Sequence, residues 1–176
     1  MVIEVPVKGY FEENCFFYID DESKHGFIID PGAQTDRLLA LIREKGWTIE
    51  KILLTHGHFD HMGAVDEIRD ALNIPVIAHR RSAEYLLDAG KNLSALCGPA
   101  ITVDRVMYFS EKDRVSFVGD TIFKGSIGNY RYPGGNPRDL QRSILDKIFT
   151  LPDDTLLYSG HSEQTTAGME KRRYGY

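Results

Sequence analysis

The sequence lacks the marks of a membrane-inserted, disulfide-linked or nucleic-acid-binding protein. None of its apolar runs approaches the roughly 20 residues that a transmembrane helix needs. The N-terminus has an acid at Glu4 and not the charged-then-apolar layout of a signal peptide, so no signal peptide is expected. The two cysteines, Cys15 and Cys97, fit no metal or redox spacing and are expected to be buried thiols in a reducing cytoplasm. Because the net charge is -5, a nucleic-acid partner is not expected.

What is present is the composition of an ordinary globular domain, 42% hydrophobic and 27% charged over 176 residues. No linker or low-complexity stretch interrupts the chain, so residues 1–176 are predicted to form a single domain. The first half alternates strands with amphipathic helices and the second half is richer in strands, which predicts a layered α/β fold. Strands are predicted at 2–7, 15–19, 26–32, 51–55, 74–78, 105–110, 114–118 and 155–158, helices at 35–45, 64–72, 82–89 and 140–149, and a polar tail at 170–176.

Three of the six histidines lie within six residues of one another, directly after a predicted buried strand. In an extended loop, His56 and His58 can point the same way and chelate one ion, while Asp60 and His61 can face a second ion. Ligands of open α/β sheets bind where such loops leave the strands. Surface or capping histidines are the alternative, but loops seldom gather four ligand-type residues without using them. The segment therefore predicts a metal site.

Two further candidate ligands follow later strands. Asp120 stands beside Gly119 at the end of one predicted strand, and His161 follows another. Taken alone, the acid usually marks a turn and a lone histidine is usually structural, but both stand at the same edge of the sheet as the histidine cluster. Divalent ions there would activate a water, and the resulting hydroxide would attack a carbonyl without a serine or cysteine nucleophile. Asp60 could both bind metal and orient this hydroxide.

The order of these motifs resembles that of the metallo-β-lactamase superfamily, in particular its small glyoxalase II-like (hydroxyacylglutathione hydrolase-like) members. The His-x-His-x-Asp-His pattern after a strand is highly specific, and the resemblance extends from about residue 9 to about residue 170. The motifs that carry it are Asn14-Cys15, Ile28–Gly32, Thr55–His61, Gly119–Phe123, Pro133–Gly135, Gly160-His161 and Thr165-Thr166.

The resemblance implies a four-layer αββα sandwich and a divalent metal cofactor, with zinc expected, iron or manganese as alternatives, and one or two ions per chain. The implied ligands are His56 and His58 for a first metal, Asp60, His61 and His161 for a second, and Asp120 bridging both. Asp60 would also contact the attacking hydroxide. His79 matches no ligand of this scheme and is expected to be structural or solvent-facing.

One departure from the family concerns the first metal. The family normally has another histidine that completes this site, but no histidine occurs here between His79 and His161. Residues 98–105 and 106–113 resemble segments that flank several tens of further residues in typical members. The first metal is therefore expected to be weakly bound or absent, and the second half of the fold to be shortened. The apolar surface exposed in this way could be covered in a homo-oligomer, or the chain could be catalytically impaired.

A second departure lies on the substrate side. Asn129 stands where relatives usually have arginine or lysine, and Arg131 stands where they have an acid or an aromatic residue. Both are candidate substrate-binding residues, with a solvated loop arginine as the alternative for Arg131.

The leading hypothesis is a metal-dependent hydrolase of a thioester or related acyl small molecule, acting in the cytoplasm with no membrane or nucleic-acid partner. A lactonase and an iron-dependent persulfide oxygenase are alternatives from the same superfamily. The third alternative, favoured by the absent histidine, is a catalytically impaired relative that still binds metal.

Overall fold

The computed structural model describes residues 1–78, 107–131 and 136–176. Several features named above lie outside these residues. They are His79, Cys97, the predicted helix at 82–89, the first residues of the strand predicted at 105–110, and the whole motif Pro133–Gly135.

The first half of the chain builds a five-stranded sheet in sequential order. Its first three strands pair antiparallel, and the last two continue parallel to the third. The strands are β1 (Val2–Lys8), β2 (Glu12–Ile19), β3 (His25–Ile29), β4 (Thr48–Leu53) and β5 (Val76–Ile77). The parallel arrangement brings the carboxyl ends of β3, β4 and β5 to the same edge of the sheet.

Two amphipathic helices connect the parallel strands and cover one face of this sheet. Helix α1 (Thr35–Lys45) buries Leu38, Leu39 and Ile42 and ends at Gly46, whose φ of 66° closes the last turn. A short helix α2 (Phe59–Met62) follows β4, and α3 (Val65–Leu72) then buries Val65 and Ile68. The helices predicted at 35–45 and 64–72 are thus confirmed within one residue.

The second half of the chain contributes, within the described residues, a four-stranded sheet. Its strands are β6 (Tyr108–Ser110), β7 (Val115–Gly119), β10 (Leu156–Ser159) and β11 (Thr165–Thr166). They are ordered β11-β10-β7-β6, and β7 and β10 run parallel. A separate hairpin of β8 (Ile122–Phe123) and β9 (Ser126–Ile127) follows β7. Helix α4 (Pro137–Ser143) continues as a π-helical segment over Ile144–Ile148, and α5 (Ala167–Arg173) ends the chain.

Within the described residues, three hydrophobic clusters fill the spaces between four layers of secondary structure. One cluster packs α1 and α3 on the first sheet, and another packs α4 and α5 on the second. The third lies between the two sheets and joins Phe16 and Ile29 of the first to Val115, Phe117 and Tyr158 of the second. The layers therefore run helix, sheet, sheet, helix, which confirms the αββα sandwich.

The predicted polar tail at 170–176 is wrong. Residues Ala167–Arg173 form α5, which begins where the Thr166 hydroxyl accepts a hydrogen bond from the Met169 amide at 3.2 Å. Glu170 is fully buried, and its carboxylate accepts hydrogen bonds from Thr165 Oγ1 at 2.7 Å and the Gly125 amide at 3.2 Å. The charged composition concealed the helix, because one of its acids serves as an interior hydrogen-bond acceptor.

Other predicted boundaries shift for local reasons. Strand β4 ends at Leu53 rather than residue 55, because the Thr55 amide donates to the Asp30 carboxylate at 2.8 Å instead of extending the ladder. The strand predicted at 74–78 is only Val76–Ile77. The helix predicted at 140–149 begins earlier, at Pro137, because the Asn136 side chain caps it. Among the described residues, no helix is long and apolar enough to span a membrane.

Candidate metal centre

The six predicted ligand residues lie together at one end of the sandwich. The loop after β4 carries His56 and His58, and α2 carries Asp60 and His61. Asp120 directly follows β7, and one residue separates His161 from the end of β10. Both of these strands belong to the second sheet, so the site is assembled across the seam between the two sheets.

Asp60, His61 and His161 form one of three groups of facing ligand atoms among the described residues, and a second consists of Asp30, His56 and His61. The Nε2 atoms of His61 and His161 are 3.3 Å apart, and His161 Nε2 is 3.4 Å from Asp60 Oδ2. The Asp120 carboxylate adds Oδ1 at 3.6 Å from His61 Nε2 and Oδ2 at 3.5 Å from His161 Nε2. Four side chains therefore converge on one point.

His56, His58 and Asp120 form the third group, which corresponds to the first metal of the predicted scheme. His56 Nε2 lies 3.0 Å from His58 Nδ1 and 4.0 Å from Asp120 Oδ2. Asp120 thus stands between this group and the group of Asp60, His61 and His161, with one carboxylate facing both. This group offers three side chains where the other offers four.

These separations fit a metal ion. Ligand atoms about 2.0–2.1 Å from a tetrahedral zinc ion lie about 3.3–3.4 Å from one another. The four distances around His61 and His161 fall between 3.3 and 3.6 Å. The residues present therefore fit a divalent ion of the kind that the resemblance implies.

Two acids for which the sequence predicted no role lie beside Nδ1 of the His61 imidazole, on the side of the ring away from the other ligands. Its Nδ1 lies 3.1 Å from Asp30 Oδ2 and 3.5 Å from Glu13 Oε1. Asp30 directly follows β3, the parallel neighbour of β4, so its position at a strand exit was the available signal. Because Nδ1 donates to a carboxylate, the lone pair of Nε2 faces the ligand group.

His56 and His161 are oriented in the same manner. The Thr55 hydroxyl donates to Asp30 and accepts from His56 Nδ1 at 3.0 Å. His161 Nδ1 donates to the Glu12 carbonyl oxygen at 2.8 Å. Asn14 holds the His161 loop through its side-chain amide, which donates to the carbonyls of residues 159 and 162 at 3.2 and 3.1 Å. Each of these two histidines therefore also directs Nε2 into the site.

Burial and the neighbouring side chains shift the pKa values of the site residues in opposite directions. Burial opposes ionisation of Asp60, but the hydrogen bond to His161 and the nearby His61 and His58 lower its pKa to about 2. Burial likewise opposes protonation of His61, yet the carboxylates of Asp120, Asp30 and Glu13 raise its pKa well above the usual value. Burial raises the pKa of Glu13 well above its ordinary range. The Asp120 and Asp30 carboxylates thus favour a positive charge at His61, whereas burial favours the neutral form of Glu13.

The glycine before His161 makes room for the ligands. A Cβ atom on Gly160 would lie 2.4 Å from His61 Cε1 and 2.8 Å from Asp120 Oδ1. The second sheet can therefore approach the histidine loop closely only with glycine at this position.

The two predicted substrate-binding residues lie in one turn after β9. Asn129 Oδ1 accepts a hydrogen bond from the Arg131 amide at 2.9 Å, and both side chains are exposed. The hairpin leading to this turn starts beside the centre, since the Phe123 ring lies 6.3 Å from that of His161.

A family model described as the metallo-beta-lactamase superfamily matches this chain over residues 9–104 and 96–161. The chain belongs to the metallo-beta-lactamase superfamily. The two matched segments overlap at residues 96–104, close to the junction of residues 105 and 106 where the missing segment is predicted.

Relatives within the metallo-beta-lactamase superfamily include two that align with nearly the whole of this chain. The chain is 34% identical to the probable metallo-hydrolase YqgX of Bacillus subtilis over 194 positions, which cover 93% of this chain and 91% of the relative. It is 29% identical to hydroxyacylglutathione hydrolase GloC of Haemophilus influenzae, over 98% of this chain and 96% of the relative. The first alignment is longer than the 176 residues of the chain, so the relative contains internal residues that this member lacks.

Solved structures of the superfamily share the fold closely. The BLEG-1 B3 metallo-beta-lactamase superposes with a TM-score of 0.91 at 31% identity, covering 98% of this chain and 97% of that one. TTHA1623 in a di-iron-bound form superposes with a TM-score of 0.84 at 30% identity, covering 97% of this chain and 98% of that one.

Proposed function

We propose that this protein is a metal-dependent hydrolase of a thioester or a related acyl substrate. The observation that carries the proposal is the convergence of Asp60, His61, Asp120 and His161 at separations that suit one divalent ion. Similarity to a hydroxyacylglutathione hydrolase over 98% of the chain supports the substrate class.

The proposed ligands form two unequal sets. Asp60, His61 and His161 hold one ion together with Asp120, and Asp120 reaches towards a second set of His56 and His58. Imidazole and carboxylate suit zinc, iron and manganese alike, and we propose zinc.

The chemistry at this point needs an activated water and a stabilised oxyanion. A bound divalent ion supplies both, by lowering the pKa of water and by polarising the acyl carbonyl. Asp60, with a pKa of about 2, is ionised at neutral pH and can accept a hydrogen bond from the attacking water. We assign Asn129 and Arg131 to the exposed part of the substrate, because their turn follows the hairpin that starts beside His161.

Unequal ligand sets lead to unequal affinities. The set around His61 has four protein ligands, and the set around His56 has three with Asp120 shared. Because each lost ligand weakens a site, we expect one tightly bound ion per chain and a second that dissociates readily. Metal analysis after gel filtration measures this ratio, and two tightly held ions would contradict the assignment.

The function is tested with metal-stripped protein reloaded with zinc, manganese or iron and assayed on S-lactoylglutathione and a panel of simpler thioesters. We expect turnover that a chelator abolishes. His161→Ala should lose at least about a hundredfold, since even supporting residues of metal sites cost 10- to 100-fold. His25→Ala, whose ring is 51% exposed, is the matched control and should retain full activity. Absence of turnover with every metal would favour the catalytically impaired alternative.

Two other substrate classes have specific support and belong in the same assay. The match to BLEG-1 at a TM-score of 0.91 favours a test of β-lactam hydrolysis. The di-iron form of TTHA1623 favours measurement of iron content together with oxygen uptake on a persulfide, which would identify the oxygenase alternative. Lactones complete the panel.

A further inference from the structure

Glu13 occupies a core position in β2. The residues at alternate positions along the strand are Cys15, Phe17 and Ile19. Each is at most 1% exposed, and all three belong to the hydrophobic cluster between the first sheet and helices α1 and α3. Glu13 continues the same face of the strand and is only 2% exposed. A carboxylate on an otherwise apolar face is costly to bury, so its presence calls for a compensating interaction.

Ordinary hydrogen bonding does not provide that compensation. Neither Oε1 nor Oε2 of Glu13 has a hydrogen-bond partner among the described residues. Among the described residues, His61 Nδ1 lies within ion-pair distance, 3.5 Å from Oε1. The same Nδ1 lies 3.1 Å from Asp30 Oδ2, so two buried carboxylates flank a single imidazole N–H.

The backbone around Glu13 is shaped to allow this approach. A Cβ atom on Gly32 would lie 2.9 Å from Glu13 Oε2 and 1.6 Å from the Asp60 carbonyl oxygen. Glycine at position 32 therefore lets β2 and α2 come together with the Glu13 side chain beside them.

We propose that Glu13 is a second carboxylate anchor of His61, a positioning residue that strengthens metal binding at the Asp60, His61 and His161 group. The inference rests on the proposed function, since it assumes that His61 is a ligand. Two carboxylates behind one imidazole restrict the ring and increase electron donation from Nε2. The same arrangement lowers the stability of the metal-free protein, because a buried carboxyl group lacks its full set of hydrogen bonds.

The proposal predicts opposite effects of one substitution. Glu13→Gln keeps the shape of the side chain and replaces its carboxyl group with an amide. Its metal affinity, measured by competition with a chromophoric chelator for zinc, should fall about 10- to 100-fold at the tight site. The melting temperature of the metal-free variant should equal or exceed that of the metal-free wild type. Glu13→Met, which removes both acceptors at similar length, should show the same pair of changes.

Glu4→Gln is the matched control, because Glu4 is an exposed glutamate of the neighbouring strand β1. It should leave both quantities unchanged. Unaltered zinc affinity in both Glu13 variants would overturn the proposal, and so would a lower melting temperature of the metal-free variants, which indicates a purely structural role. If the wild type itself binds no zinc, the proposed function fails as well; if it binds zinc and only the Glu13 effect is missing, this inference alone fails.

Discussion

At the scale of single residues, close backbone approach matters as much as the ligands themselves. Gly119 ends β7 directly before Asp120 and has a φ of 50°. A Cβ atom there would lie 2.6 Å from Thr55 Oγ1 and 2.9 Å from Thr55 Cβ. Since Thr55 orients His56, this glycine links the second sheet to the histidine loop.

Gly119→Ala should therefore destabilise the protein by about 1–3 kcal/mol, from the left-handed backbone and the contact with Thr55. Urea unfolding of the metal-free protein measures the loss. Gly46→Ala is the control, because Gly46 has a φ of 66° but nothing within 4 Å of the added atom. It should cost only the left-handed backbone contribution, about 1–2 kcal/mol, and therefore less than Gly119→Ala. Equal losses in the two variants would show that the Thr55 contact is unimportant.

At the scale of elements, α5 anchors the hairpin that precedes the proposed substrate turn. The buried Glu170 of α5 accepts hydrogen bonds from Gly125, between β8 and β9, and from Thr165 in β11. Ser162 Oγ also accepts from the Lys124 amide at 3.0 Å, so the hairpin is tied to the His161 loop as well. The hairpin is thereby held beside the metal centre from two sides.

Glu170→Ala should cost about 1–3 kcal/mol of unfolding free energy, because it leaves a partly buried amide and a buried hydroxyl without their acceptor. Glu163→Ala provides the comparison, since the Glu163 side chain is 78% exposed and pairs with Lys124 at the surface. Surface pairs contribute about 0–1 kcal/mol, so this variant should unfold almost like the wild type. Similar urea midpoints for the two variants would contradict an anchoring role of Glu170.

At the scale of the whole molecule, the metal centre joins the two sheets. The first sheet supplies His56, His58, Asp60 and His61, and the second supplies Asp120 and His161. Direct bonds cross the same seam, such as the Asn14 amide donating to the Gly160 carbonyl at 2.8 Å. An ion held there would bind the folded chain alone and stabilise the contact between its halves.

Removal of metal should therefore lower the melting temperature. At an ion concentration a hundred times its dissociation constant, the stabilisation is about 2.7 kcal/mol, which corresponds to about 5–10 °C for a chain of this size. Thermal scans of wild type with zinc and with chelator measure the difference. His161→Ala should melt at nearly the same temperature in both conditions, whereas a metal-dependent shift of wild-type size would exclude His161 as a ligand.

The chemistry of the site could be predicted from the sequence because it is local. Spacing alone grouped His56, His58, Asp60 and His61 as candidate ligands after one strand, and strand exits pointed to Asp120 and His161. The helix at 35–45 was equally accessible, since its apolar period and Gly46 are local signals. The family resemblance supplied the αββα order, which the three hydrophobic clusters confirm.

Only the tertiary structure decided which side chains support the ligands. Glu13 lies far in sequence from His61, and a carboxylate on a strand face gives no sign by itself of the imidazole that it meets. Glu170 looked like part of a solvated tail until its hydrogen bonds to Gly125 and Thr165 showed it inside the fold. Ligand type and spacing are written in short segments, but the burial and hydrogen bonding of an acid depend on distant segments that fold against it.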